Sequence, residues 1–94
     1  MYEVGDIVRS QAGHDRGGLF CVLDTQENYL LLADGKRRSV TSPKRKKCGH
    51  VLQLGTSGHQ TIEKLRRGQL VSDRELRRAL AIFRDALGRD QGGK

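Results

Sequence analysis

The stretch from Leu19 to Val40, "LFCVLDTQENYLLLADGKRRSV", decides the architecture. It opens on LFCVLD, a mostly apolar run of strand length rich in β-forming residues, and after the polar break TQEN comes a second such run, YLLLA. Asp34-Gly35 follows. Two residues of this type between β-like runs are the strongest short hairpin signal, because a type I′ turn needs positive φ at both positions. KRRSV is therefore the expected returning strand. Side chains alternate across a strand, so Lys36, Arg38 and Val40 would share one side and Arg37 and Ser39 the other.

Upstream, IVRS (Ile7–Ser10) reads as a strand. The next eight residues, QAGHDRGG, hold three glycines and an Asp and must be a loop or tight turn. Downstream, Pro43 has no N–H to donate and interrupts the ladder. KRKK (Lys44–Lys47) would then run extended, and HVLQL would close the sheet. Five short strands in about fifty residues, with no helix between them, close most economically as a small antiparallel barrel. The fold expected is mainly β.

After Leu54 the texture changes. GTSGHQ reads as a flexible joint, and TIEKLRRG as one or two helical turns ended by Gly68. SDRELRRALAIFRDALG is the clearest helix: Ser72 and Glu75 form a capping box, and Gly88 sits where a helix-ending glycine belongs. Leu76, Ala79, Leu80, Phe83 and Leu87 fall on one apolar stripe. The organisation expected is a barrel over 1–54, a linker with a short helix over 55–71, an amphipathic helix over 72–88 and a disordered end over 89–94.

Charge points to the partner. The net charge is +7 with a pI near 10.0, which suits polyanions. Seven of the twelve residues from Lys36 to Lys47 are Lys or Arg and none is acidic. Tied at both ends by strands, these cations lie along a line suited to the phosphates of a nucleic-acid backbone. The glycine loop would extend this rim with Arg9, His14 and Arg16. "MYEVGDIV" has no leader character, and no run approaches the roughly 20 apolar residues of a membrane span, so a cytoplasmic protein without membrane contact is expected.

Other chemistries find little support. Cys21 and Cys48 lie apart with no C-x-x-C, so neither a disulfide nor a zinc site is expected, and Cys21 reads as a small buried thiol. No Ser/His/acid grouping or paired carboxylates stand out, and GHDRGGLF lacks the Lys and hydroxyl of a phosphate-cradling loop. No enzyme and no cofactor are expected.

The stretch "GDIVRSQAGHDRGGLFCVLDTQENYLLLADGKRR" resembles the KOW motif, a short barrel element of ribosomal proteins and transcription elongation factors. With its continuation "DGKRRSVTSPKRKKCGHV" the chain is similar to small KOW-domain RNA-binding proteins of bacteria, akin to a KOW-containing large-subunit protein of archaeal and eukaryotic ribosomes. The resemblance covers residues 3–54 and implies an SH3-like barrel that binds RNA, foremost ribosomal RNA, by a loop face. It implies that Gly13 and Gly17 shape the loop. Arg16, Lys36, Arg37, Arg38, Lys44, Arg45, Lys46, Lys47 and His50 would then contact the RNA backbone. A monomer is expected, with ribosomal proteins as further neighbours.

No aromatic lies in the basic loops and Trp is absent, so single-strand reading by base stacking is disfavoured and phosphate and shape recognition favoured. The alternative is a protein–protein adaptor of the transcription or translation apparatus, docking by the barrel and by the Leu76–Leu87 stripe.

Overall fold

The computed structural model describes the backbone of residues 1–92 and the side chains of residues 1–88. The elements run β1 (Asp6–Ser10), β2 (Leu19–Gln26), β3 (Tyr29–Ala33), β4 (Lys44–Lys47), a 3-10 turn (Cys48–His50), β5 (Val51–Thr56), α1 (Gln60–Arg66) and α2 (Asp73–Gly92). The five strands form one antiparallel sheet in the order β4-β3-β2-β1-β5. Its two edges, β4 and β5, are successive in the chain and joined only by the three-residue turn, so the sheet bends strongly round.

The fourth strand is not KRRSV. Residues 34–43 form a loop, and KRKK, expected as an extended connection, is the strand that pairs with β3. The cause lies in Asp34. Its Oδ1 accepts from the backbone N–H groups of Lys36 (2.9 Å) and Arg38 (2.8 Å), and the N–H groups of Asp34 and Gly35 both donate to the Arg38 carbonyl. A carboxylate that caps its own following turn competes with ladder hydrogen bonds and wins here.

Both faces of the sheet are apolar, which explains why LFCVL is not an alternating pattern. Val8, Phe20, Val22, Leu30, Leu32 and Val51 fill the concave side. Ile7, Leu19, Cys21 and Ala33 point the other way and meet Ile62 of α1 and Leu76, Ala79 and Leu80 of α2. Adjacent residues of β2 thus serve two cores, each buried Leu, Ile or Phe contributing about 1.5–3 kcal/mol. The stripe read from the sequence is real, and its Leu76–Leu80 part is covered by the protein's own sheet.

The helix signals behave as their chemistry requires. The Ser72 N–H donates to Glu75 Oε1 (2.9 Å) and the Glu75 N–H to Ser72 Oγ (3.1 Å), a reciprocal capping box. Gly68, at φ 75°, ends α1 with Gln69 N–H on the Lys64 carbonyl and Gly68 N–H on that of Leu65. Gly88 does not stop α2, which continues through residues 89–92 of the expected disordered end. Residues 93–94 of that end lie outside the described residues. No described helix is long and apolar enough to cross a membrane.

Candidate nucleic-acid interface

The basic loop 34–43 is anchored on three sides. Asp73, at the start of α2, accepts from the Ser39 hydroxyl and from the Val40 N–H (both 2.8 Å). These two bonds, the backbone one first, hold its carboxyl below the usual carboxylate range. Arg77, one turn on, donates to the Gly35 carbonyl. Gly35 has φ 78°, and a Cβ there would stand 2.3 Å from the Asp73 carbonyl oxygen, so only glycine lets loop and helix approach this closely.

The third anchor is Asp15, from the glycine loop, which is 5% exposed and accepts from Arg38 Nη2 at 2.9 Å. Burial alone would raise the Asp15 carboxyl. The Arg38 hydrogen bond, with the charges of Arg38, Lys46 and Arg37, outweighs that and holds it below its ordinary value. Arg38 Nε is buried without an acceptor among the described residues, so its tether rests on this one contact.

Lys46 has a similar fate. It pairs across from Leu30, faces the concave side at 8% exposure, and its Nζ donates to the Ala12 carbonyl at 2.6 Å. The lysine therefore ties β4 to the glycine loop. Arg38 and Lys46, expected to contact a ligand, are engaged inside the protein. The sequence could not separate them from their neighbours, because the acid and carbonyl they meet are 23 and 34 residues away.

The remaining candidates stay at the surface. Arg9, His14, Arg16, Lys36, Arg37, Arg45, Lys47 and His50 are exposed and Lys44 is half-buried. Arg9 and Arg16 line one shallow concavity with Gln11 and Gly17. The Gly17 N–H donates to the Ser10 carbonyl, and the Gln11 N–H to that of His50 (2.9 Å), which sets the 3-10 turn against the glycine loop. Arg37 reaches Gly18 from the other flank and makes a loose 3.9 Å pair with Asp34. The two loops and the turn thus form one continuous rim.

No protein-family model and no curated protein matches this chain. The site therefore rests on its own geometry.

Sequence reasoning missed two features. Lys36 shares a concavity with Arg77 and Arg84 of α2, so the rim continues onto the helix. Tyr29 of β3 carries the Arg45 guanidinium 3.7 Å from its ring centroid. Their separation along the chain hid the pair, though knowing that KRKK pairs with YLLLA would have revealed it. Both cysteines are free: Cys21 is buried, which pushes its thiol up to about 12, and Cys48 is half-buried. Among the described residues no three His, Cys, Asp or Glu side chains gather as metal ligands would.

Proposed function

We propose that this chain is a cytoplasmic RNA-binding module, an SH3-like barrel of the KOW kind that grips ribosomal RNA by backbone and shape contacts and works in association with the ribosome. One observation carries the reading. Exposed Arg9 and Lys47 project from paired strands, and exposed Arg16, Lys36 and Arg37 from loops held by Asp15, Asp34, Asp73, Arg77 and Lys46. Cations already held in place lose less freedom on meeting phosphates than cations on a flexible tail, and they suit a surface of fixed shape better. The adaptor alternative loses support, because the Leu76, Ala79 and Leu80 part of its docking stripe is buried against the sheet.

The test is binding to purified ribosomal RNA and to duplex DNA across a salt series. Wild type is compared with a variant carrying Lys36, Arg37, Lys44 and Lys47 as Ala, leaving the internal Arg38 and Lys46 in place. The expected result is preference for RNA and a salt slope shallower by about 0.7–0.9 for every phosphate the variant no longer neutralises. Equal affinity for RNA and DNA, or an unchanged slope in the variant, would overturn the reading.

A further inference from the structure

The outward face of the sheet at the β2–β3–β4 end is left uncovered by the helices, and it carries an aromatic ring among cations. Cross-strand pairing puts Gln26, Tyr29 and Lys47 in one row and Asp24, Leu31 and Arg45 in the next. Residues directly opposite in an antiparallel ladder share a face. Tyr29 is half-buried, and Arg45 packs on its ring. Beside the ring opens a concavity lined by Asn28, Tyr29, Lys47, Cys48, Gly49 and His50. The Arg45 guanidinium, 3.7 Å from the ring centroid, does not line that concavity.

Each wall offers something one nucleotide needs. Tyr29 and His50 are flat surfaces for a base, Asn28 is an amide that can both donate to and accept from a base edge, and Lys47 is a cation for the adjoining phosphate. Gly49 adds no bulk to the lining, and a Cβ built there meets nothing within 4 Å. An Arg on an aromatic ring fixes its orientation and adds a cationic plane beside the site.

We infer that this concavity is a subsite for a single unpaired nucleotide of the bound RNA, the base stacked on Tyr29 and its phosphate at Lys47. The inference rests on the RNA-binding reading and deepens it: besides duplex backbone, the protein takes one base splayed from a loop or bulge. It reverses the expectation that the chain lacks a stacking platform, because β3–β4 pairing carries Tyr29 to the basic strand.

The experiment compares two probes with equal phosphate counts, an RNA hairpin with an unpaired loop and a fully paired RNA duplex. Wild type should prefer the hairpin. Tyr29→Leu should weaken hairpin binding by about 5- to 150-fold more than duplex binding, the equivalent of the 1–3 kcal/mol of one stacked base. Tyr29→Phe should bind as wild type. Gly49→Leu, which adds bulk at the edge of the concavity where a Cβ meets no atom within 4 Å, should lose the hairpin preference while melting like wild type. If either leucine variant keeps wild-type hairpin affinity, or Tyr29→Leu weakens both probes alike, the subsite does not exist and the RNA-binding reading stands. If wild type binds neither RNA better than duplex DNA, both fall together.

Discussion

The two halves of the basic run look alike in sequence and are held in opposite ways. Lys36–Val40 forms no ladder and keeps its shape through contacts from elsewhere: Asp34 beside it, Asp15 from the glycine loop, and Asp73 and Arg77 from α2. Lys44–Lys47 is a strand shaped by pairing with β3. Each half gives up one cation to the fold, Arg38 in the first and Lys46 in the second, and presents the others. A count of cations therefore overstates the binding surface, and the question to ask of each is which partner it already has.

The contrast is tested most severely at Gly35. Gly35→Ala adds a Cβ where α2 passes at 2.3 Å and imposes positive φ on alanine. The expected destabilisation is about 2–5 kcal/mol in urea unfolding, from strain and overpacking together. The corresponding change in the strand half, Lys44→Ala, should leave stability nearly unchanged.

Removing the charged tether comes next. Arg38→Ala leaves Asp15 buried without its partner and should destabilise by about 2–3 kcal/mol, below the usual cost of a broken buried pair because Arg38 is 33% exposed. An acid titration probes the same tether. Asp15 is held below its unfolded value, so its contribution is present above about pH 4 and fades as pH falls through the folded value. Asp15→Asn should therefore flatten the acid limb of stability below about pH 4. An acid limb identical to wild type would place the loop's anchorage elsewhere.

In the strand half, Lys46→Ala should cost about 1–2 kcal/mol by freeing the Ala12 carbonyl, whereas Lys47→Ala should stay within about 0.5 kcal/mol and reduce only the salt slope of RNA binding. Equal effects of the two substitutions on stability would remove the distinction between engaged and presented cations. The smallest effect is chemical. Cys48, just after β4, should react with a thiol reagent in the native state, and Cys21 only on unfolding.

Much of this molecule was legible because its signals are local. The Ser72–Glu75 box, Gly68 as a helix stop and the apolar stripe each depend on residues within a few turns of chain, and all three form as read. Four of the five strands, β1, β2, β3 and β5, were legible too, from short runs separated by turn residues. The errors arose where two local solutions compete. Asp34-Gly35 can make a hairpin or a carboxylate-capped loop, and the latter is favoured because Asp73 and Arg77 of the distant α2 reward it. Sequence alone established a strongly basic, mainly β chain with a capped amphipathic helix, since composition, periodicity and caps are properties of neighbouring residues. That KRKK is the strand, that Arg38 and Lys46 face inward and that Tyr29 lies among cations emerged only in three dimensions. Those outcomes depend on groups that meet only once the chain has folded.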